Sequence, residues 1–202
     1  MCHIISLLLA SLIPLPRSQI DPIAKASTQV VIDDTINSEF ANMPPKSWWN
    51  KFGQFKKPST DGKIRLVHVG ACDNKTMYVK EVLDWVQSNQ DSFELTFISQ
   101  QLDAETKALI LNYNCPTICI KAPVNYYELP QELIKYDVGL VLYKGHIPNY
   151  VHNVPNKVHE YLSCGLKVLC DYSLKTTVEL MHENIHSIKL KELEGISTKI
   201  LI

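Results

Sequence analysis

Two polar residues with helical spacing, Asn156 and Glu160, stand out in the stretch VPNKVHEYLSCGLKVLC, which runs from Val154 to Cys170. At about 100° per residue, they share one side of a helix. The apolar stripe of that helix lies on roughly the opposite side and consists of Val154, Val158, Tyr161 and Leu162. Gly165 then ends the helix, and the apolar run LKVLC begins a strand.

This arrangement can do chemistry if its polar side faces a ligand. A carboxylate at Glu160 can accept hydrogen bonds from the two hydroxyls of a ribose, a common device for holding a nucleotide. Lys157 can neutralise a phosphate, and the positive end of the helix dipole would help. The alternative is an exposed helix whose Lys157 and Glu160 form an (i, i+3) pair worth only a few tenths of a kcal/mol. Spacing alone does not choose between the two.

Polar and aromatic residues also crowd the segment before that helix, which predicts a functional loop. Connectors between elements are commonly a few residues long, and longer loops usually carry function. The polar and aromatic members, counted into the first turn of the helix, are Lys144, His146, Asn149, Tyr150, His152, Asn153, Asn156 and Lys157.

The loop GACDNKT follows the first predicted strand and offers Gly70 and Lys75. It contains neither a G-x-G-x-x-G fingerprint nor a Walker A motif, which weakens the case for NAD or FAD. A tight turn before a helix N terminus can still hold a phosphate. On this loop alone, however, a solvated lysine is the simpler interpretation.

The elements that must position these residues alternate between strands and helices. The predicted strands are KIRLVHVG, FELTFIS, TICIKA, DVGLVLYK, KVLCDY and IHSIKL. Beside the helix of Asn156 and Glu160, the predicted helices are TMYVKEVLDWVQSN, DAETKALILNYN, ELPQELIKY and LKTTVELMHEN. Continuous apolar strands are typical of a parallel sheet covered on both faces. We therefore predict an α/β fold with a doubly wound, Rossmann-like parallel sheet over roughly residues 62–195, whose ligands bind beyond the carboxyl ends of its strands.

Residues 1–60 do not fit that unit. TQVVID reads as one more strand, DTINSEFAN as a short helix, and MPPKSWWNKFGQFKKPSTDG as a connector rich in proline and glycine. We predict that residues 1–60 are the remnant of a preceding domain plus an interdomain linker, and that residues 61–202 are the ligand-binding domain. The apolar run from His3 to Ile13 is too short to span a bilayer and is predicted to be a buried helix.

The net charge and the cysteine spacing argue against two kinds of site, a nucleic-acid-binding surface and a metal site. The 202 residues carry a net charge of −1 without a basic block, which argues against binding nucleic acid through a broad electrostatic surface. None of the six cysteines forms a C-x-x-C pair or a zinc spacing, so no metal site is predicted. Cysteines in or beside apolar runs indicate reduced thiols and a cytoplasmic protein.

The stretch that contains Asn156 and Glu160 resembles the nucleotide-sugar-binding helix of GT-B glycosyltransferases (group 1, family 4-like). The matching residues are Pro155, Asn156, Lys157, Glu160, Tyr161, Gly165 and Val168. LIKYDVGLVLYKG and IRLVHVGACDNKT resemble two further motifs of the same family in the expected order. The resemblance covers roughly residues 60–185. It implies the C-terminal, donor-binding domain of a GT-B fold with a nucleotide-diphosphate sugar as substrate and no other cofactor.

The resemblance also implies a set of site residues. Glu160 would bind the ribose hydroxyls, Lys75 and Lys157 would face the diphosphate, and Gly70 would allow close approach of the backbone. The nucleotide-binding set is completed by Asn156 and, near the base, by Lys121, Ala122 and Val124. The loop for the donor sugar and phosphate would contain Lys144, His152 and Asn153. No catalytic residue is identified, and no metal is expected.

The implied activity is transfer of a sugar from a nucleotide-diphosphate sugar to a glycan or other acceptor, as in polysaccharide biosynthesis. Two positions depart from the family, since His152 replaces a frequent glutamate and Lys167 a frequent proline. The acceptor-binding domain is expected to be largely missing from this chain. The alternatives are therefore a non-catalytic fragment of a split or truncated transferase that binds a nucleotide sugar or a partner, and a GT-B-like sugar-nucleotide epimerase. Expected partners are a separate N-terminal half or a second copy of the chain, with peripheral association on the inner face of the membrane as a further option.

Overall fold

The computed structural model describes residues 46–57 and 59–193. The strands are β1 (Ile64–Val69), β2 (Phe93–Ile98), β3 (Ile118–Lys121), β4 (Val138–Val141), β5 (Lys167–Asp171) and β6 (Ile185–Ile188). The helices are α1 (Lys46–Gly53), α2 (Val79–Ser88), α3 (Ala104–Asn112), α4 (Leu129–Leu133), α5 (Pro148–Val151), α6 (Asn156–Ser163) and α7 (Lys175–Glu179), followed by a 3₁₀ helix at Leu190–Glu192.

The six strands form one parallel sheet in the order β3-β2-β1-β4-β5-β6. From β1, the chain adds β2 and then β3 on one side of the sheet. It then returns to the other side of β1, where it adds β4, β5 and β6 in turn. The order therefore reverses between β1 and β4, which is the place where open α/β sheets bind ligands. All six predicted strands are present, and the predicted fold class is confirmed.

Helices cover both faces of this sheet, as the continuous apolar strands predict. One face packs against α2 and the 3₁₀ helix through a cluster that includes Leu66, Trp85 and Leu140. The other face packs against α1, α4, α6 and α7 through a cluster that includes Val67 and Tyr161. Side chains of neighbouring strand residues point to opposite faces, which explains why Leu66 and Val67 belong to different clusters.

The segment predicted as a connector contains a helix, α1, that the sequence analysis missed. Trp49 is fully buried against the sheet domain, and a Cβ on Gly53 would lie 3.2 Å from the carbonyl oxygen of Ser163, at the end of α6. The Lys56 ammonium donates to the carbonyl oxygen of Gly165 at 3.1 Å. The proline and glycine content of this segment indicated a connector. Burial of the apolar Trp49 side chain nevertheless stabilises a helix there.

The remaining predictions for the first sixty residues lie largely outside the described residues. The run from residue 3 to 13, the strand TQVVID and the helix DTINSEFAN all fall there, and the division into residues 1–60 and 61–202 stays a prediction. In residues 46–57 and 59–193, no helix is long and apolar enough to cross a membrane. The cysteines of this part are free thiols; Cys119 is exposed, and the buried ones are Cys72, Cys115, Cys164 and Cys170.

Candidate functional site

A cleft of about 540 Å³ opens at the carboxyl edge of the sheet, where the strand order reverses. Its walls come from the loop after β1, the loop before α4, the loop after β4 and the first turns of α6. The lining residues are Val69, Gly70, Ala71, Tyr126, Leu129, Tyr143, Asn149, Tyr150, Asn153, Val154, Pro155, Asn156, Lys157 and Glu160. The predicted polar side of α6 therefore borders this cleft, with Asn156 exposed and Glu160 half-buried.

Helix α6 is held in place by its apolar side. Val158 and Tyr161 are fully buried, and the Tyr161 hydroxyl accepts a hydrogen bond from the backbone N–H of Val69 at 3.0 Å. The ring fits because residue 139 is a glycine; a Cβ on Gly139 would lie 2.1 Å from a ring carbon of Tyr161. The helix is thus fixed to the ends of both β1 and β4, with Lys157 and Glu160 turned to the cleft.

Lys157 brings a buried ammonium group to this cleft. Its residue surface is 8% exposed, and its Nζ lies 3.5 Å from Nε2 of His68 and 5.0 Å from the ring centroid of Tyr143. Burial lowers the pKa of Lys157 to about 8. Across the described ranges, no carboxylate lies within 4.0 Å of this ammonium. A cation held in this way gains strongly from an anion in the cleft.

The Lys157 ammonium lies next to the turn after β1, where residue 70 is a glycine because of its backbone conformation. The Gly70 φ of +95° belongs to the region that favours glycine, and a Cβ there would lie 3.9 Å from Nζ of Lys157. The N–H of Gly70 donates to the carbonyl oxygen of Ile98 at 3.0 Å, so this amide is already used. Gly70 is therefore required for the backbone conformation of the turn, and its predicted role toward a ligand stays a prediction.

Glu160 supplies a half-buried carboxylate on the wall beside Tyr126. Burial raises the pKa of Glu160, while Lys157 acts in the opposite direction. Burial, and secondly the charge of Glu160, raise the pKa of Tyr126 to about 12. The centroid of the Tyr126 ring lies 5.3 Å from that of Trp49, so α1 supports this wall from behind.

A second pocket of about 280 Å³ adjoins the cleft. It shares part of the lining with the cleft and reaches the loop after β3 and the carboxyl end of β2. Its lining residues are Val69, Gly70, Ala71, Ile98, Gln100, Gln101, Pro123, Val124 and Leu129. Val124 therefore lines a pocket next to the cleft, and its predicted contact with the base stays a prediction.

Several predicted site residues do not line either pocket. The Lys75 side chain is 81% exposed and pairs with Glu105 at 3.7 Å. Lys121 donates to Glu132 at 2.8 Å and to the Tyr136 hydroxyl at 2.9 Å. Ala122 and His152 are exposed beside the pockets. The roles that the resemblance gave these residues stay predictions.

The loop after β4 is divided between two places. Asn153 lines the cleft, together with the stacked rings of Tyr143 and Tyr150, whose centroids are 4.2 Å apart. Lys144 turns the other way, donates to the carbonyl oxygen of Asn74 at 2.7 Å, and borders a separate pocket near the 3₁₀ helix. The short helix α5 inside this loop was not predicted.

Three residues were not singled out from the sequence: Tyr126 and Tyr143, which line the cleft, and His68, which is buried beside Lys157. His68 reads as an ordinary member of a buried strand, although a histidine in such a strand needs polar partners and is a signal in itself. Tyr126 and Tyr143 follow strands at their carboxyl ends, where aromatic residues are candidates for contact with a ligand. Their position after strands was available from the sequence; their orientation was not.

No protein-family model matches the sequence, and no curated protein matches it. Among solved structures, 43 chains match. One is the C-terminal domain of a glycosyl transferase group 1 family protein (LpcC) from Francisella tularensis, with a TM-score of 0.52 at 13% identity over 79% of this chain and 83% of that chain. Another is the glycosyltransferase GlyE of Streptococcus pneumoniae TIGR4, with a TM-score of 0.47 at 15% identity over 77% of this chain and 37% of that chain. The fold expected from the resemblance, that of a glycosyltransferase C-terminal domain, is confirmed by the first of these structures.

Proposed function

We propose that this chain is the donor-binding half of a glycosyltransferase. It binds a nucleoside diphosphate sugar in the cleft, and the sugar passes to a glycan or other acceptor held by a second domain or subunit. The observation that carries the proposal is the convergence of Lys157, Glu160 and the N terminus of α6 on one cavity at the strand reversal. Each of these groups matches a different part of such a donor.

The diphosphate lies against Lys157 and the first turn of α6 in this proposal. Pro155 precedes the helix in an extended conformation and makes no side-chain cap, so the first amides of α6 are left for a ligand, apart from the N–H of Val158, which donates to the carbonyl oxygen of Pro155 at 2.9 Å. The ammonium beside Gly70 adds a full positive charge. An anion there offsets the cost of burying Lys157, which makes the site selective for charged phosphates over neutral sugars.

The nucleoside extends from Glu160 toward the second pocket. The half-buried carboxylate accepts hydrogen bonds from the ribose hydroxyls, as the family resemblance implies, and Tyr126 closes the wall beside it. The base then occupies the smaller pocket near Val124. The donor sugar lies on the opposite side, toward Asn149 and Asn153 in the loop after β4.

Transfer breaks the bond between the anomeric carbon and the diphosphate oxygen and forms a bond from that carbon to the oxygen of an acceptor hydroxyl, whose proton passes to the released diphosphate or to water. The leaving nucleoside diphosphate gains negative charge as this bond breaks. Lys157 and the dipole of α6 interact more strongly with that charge than with the intact donor, which lowers the barrier. The proposal assigns this stabilisation to protein groups and requires no metal ion.

The proposal is tested by thermal shift and calorimetry with UDP-, GDP- and ADP-linked sugars and the free diphosphates. One of these series is expected to stabilise the protein, and Glu160→Gln is expected to weaken binding of the nucleoside diphosphate about tenfold because a charged acceptor of two hydroxyls is lost. The matched control is Glu179→Gln, an exposed glutamate of α7, which should bind normally. No stabilisation of well-folded protein by any of the three series would remove the proposal. If the protein binds a nucleotide sugar but transfers no sugar when acceptors and an N-terminal half are added, the chain is a binding fragment and not part of an active enzyme.

A further inference from the structure

His68 is a buried titratable residue that the proposed function does not use. Its residue surface is completely buried in β1. Its Nδ1 lies 3.2 Å from the carbonyl oxygen of Leu140, and its Nε2 lies 3.2 Å from the carbonyl oxygen of Ala71 and 3.5 Å from Nζ of Lys157. The ring therefore connects β4, the turn after β1 and the buried lysine of α6.

The contact between His68 and Lys157 crosses the carboxyl edge of the sheet. His68 is two residues after Leu66 in β1, so it points to the face covered by α2. Helix α6 packs on the other face through Val158 and Tyr161. Lys157 therefore extends over the end of the sheet, along the turn at Gly70, to reach the imidazole.

The Lys157 ammonium decides which nitrogen of the neutral ring carries the proton. Both ring nitrogens face a carbonyl oxygen, that of Leu140 for Nδ1 and that of Ala71 for Nε2, and a neutral ring can donate to only one of them. The ammonium beside Nε2 favours the proton on Nδ1, because only a bare Nε2 can accept from it. Nε2 then presents its lone pair, and Lys157 is the donor beside it. Burial, and secondly the charge of Lys157, lower the pKa of His68 to about 3, so the ring stays neutral and leaves the positive charge on the lysine.

These contacts also direct the ammonium. A lysine ammonium has three N–H donors. One points to Nε2 of His68 and another side lies against the face of Tyr143. The remaining side faces the cleft, which Lys157 lines.

We propose that His68 is a positioning residue for the donor site: as a neutral acceptor it orients the Lys157 ammonium at the Gly70 turn so that a free N–H points at the diphosphate. This inference rests on the proposed function for the identity of the anion. The orientation itself does not depend on it. Without this acceptor, the buried ammonium of Lys157 has fewer polar partners. Its charged form is then less stable, so the pKa of Lys157 falls further.

The pH dependence of diphosphate binding follows from the groups that face Lys157. These are His68 from β1, Cys72 from the loop after β1, Tyr143 after β4 and Glu160 from α6. Burial raises the pKa of the Cys72 thiol to about 12 and also raises the pKa of Tyr143. Burial raises the pKa of Glu160, and the charge of Lys157 opposes this rise. Lys157, whose pKa burial lowers to about 8, is the group whose loss of a proton removes positive charge from the site between pH 7 and 9.5, so affinity falls about tenfold per pH unit above its pKa.

The first experiment reads the apo protein and needs no ligand. ¹⁵N NMR of His68 is expected to show a protonated Nδ1 and a bare Nε2, and Nζ resonances are expected to show that Lys157 titrates at a lower pH in His68→Leu than in the wild type. His68→Gln, whose side-chain oxygen can accept from the ammonium, should restore the wild-type titration. A protonated Nε2, or an unchanged Lys157 titration in His68→Leu, overturns the proposal.

The second experiment measures binding of UDP, GDP, ADP and inorganic pyrophosphate between pH 7 and 9.5. His68→Leu is expected to weaken the best of these ligands about tenfold at pH 7 and to move the midpoint of the pH profile downward, while His68→Gln keeps the midpoint. In a Lys157→Met background, His68→Leu should change affinity less than about twofold. An equal loss in both backgrounds shows a merely structural role and contradicts the proposal. His182→Leu, an exposed histidine, is the control.

The two proposals fail in different ways. If the wild type binds none of the four probes, the donor-binding function fails, while the NMR experiment still decides the role of His68. If the wild type binds but the His68 variants share its titration and its pH profile, the function stands and the positioning role falls.

Discussion

Two lysines that the family resemblance assigns to the same diphosphate lie in opposite environments. Lys157 is buried at the N terminus of α6, lies beside His68 and Tyr143, and lines the cleft. Lys75 follows β1, is largely exposed, and pairs with Glu105 at the start of α3. Residue type therefore did not separate a buried lysine that lines the cleft from a solvated one.

The feature that distinguishes Lys157 from Lys75 is burial of the ammonium group without a counter-ion. An exposed ion pair such as Lys75 with Glu105 contributes about 0–1 kcal/mol and is screened by salt, so it is readily broken and re-formed. A buried ammonium costs several times more unless it is compensated. Lys157 persists in this position because the tight packing of Tyr161 and Val158 holds α6 there.

The largest effect is expected from Lys157→Met, which removes the charge and keeps the length of the side chain. Affinity for the nucleoside diphosphate should fall about 100-fold, equivalent to roughly 2.7 kcal/mol, because a charge-assisted contact is lost. The same variant should unfold at a higher temperature, since an uncompensated buried charge becomes an apolar group. Calorimetry with the diphosphate and a thermal melt without it measure the two effects. A variant that binds normally would show that the buried lysine has no part in the site.

Gly139→Ala tests whether packing is what holds α6 at the cleft. The new Cβ would lie 2.1 Å from a ring carbon of the buried Tyr161. We expect a loss of about 1–3 kcal/mol in the free energy of unfolding, because either the ring or the helix must move. Urea denaturation measures it, with Gly62→Ala as a control in which a Cβ meets no atom within 4 Å but the backbone has a positive φ of +74°. Equal losses in the two variants would show that the ring contact adds nothing beyond ordinary glycine strain.

The stability of the protein should also depend on pH through Lys157. Its pKa falls from the usual 10.5 to about 8 on folding, so between these pH values the unfolded chain binds more protons than the folded one. Stability therefore rises with pH in this window, by at most about 1.4 kcal/mol per pH unit, as the cost of the buried charge is relieved. Urea denaturation of the wild type and Lys157→Met at pH 7, 8.5 and 9.5 isolates this contribution. The advantage of Lys157→Met should shrink as the pH rises; an advantage that grows has the opposite sign and refutes the assignment.

The smallest effect is expected from Lys75→Met. An exposed side chain that pairs with Glu105 should change the affinity for a nucleoside diphosphate less than about threefold at physiological salt. Calorimetry at two salt concentrations checks this result. A loss as large as that of Lys157→Met would mean that Lys75 swings into the cleft when the ligand binds, as the family resemblance originally implied.

The sequence predicted the strands and the face of α6 because both depend on local periodicity. The apolar runs define six strands, and the four-residue spacing of Asn156 and Glu160 puts them on one side of a helix whatever surrounds it. The predicted helix DAETKALILNYN begins with Asp103, whose carboxylate accepts from the N–H of Thr106 at 3.0 Å and caps the helix.

The direction of the long side chains could not be predicted in the same way. Lys121 turns to Glu132 and Tyr136, and Lys144 turns to the backbone of the loop after β1, so each direction is set by partners distant in sequence. The role of His68 likewise depends on Lys157, which follows it by 89 residues. Helix α1 could not be predicted for the same reason, because it packs against α6, which is distant in sequence.

The central claim is that a nucleoside diphosphate binds between Lys157, Gly70 and Glu160. A crystal structure of the chain with whichever of UDP, GDP or ADP gives the largest thermal shift tests it most directly. We expect a phosphate oxygen within about 3 Å of Nζ of Lys157 and the ribose hydroxyls within hydrogen-bond distance of the Glu160 carboxylate. A nucleotide bound instead at the exposed Lys75, or in the pocket beside Lys144, would contradict the account.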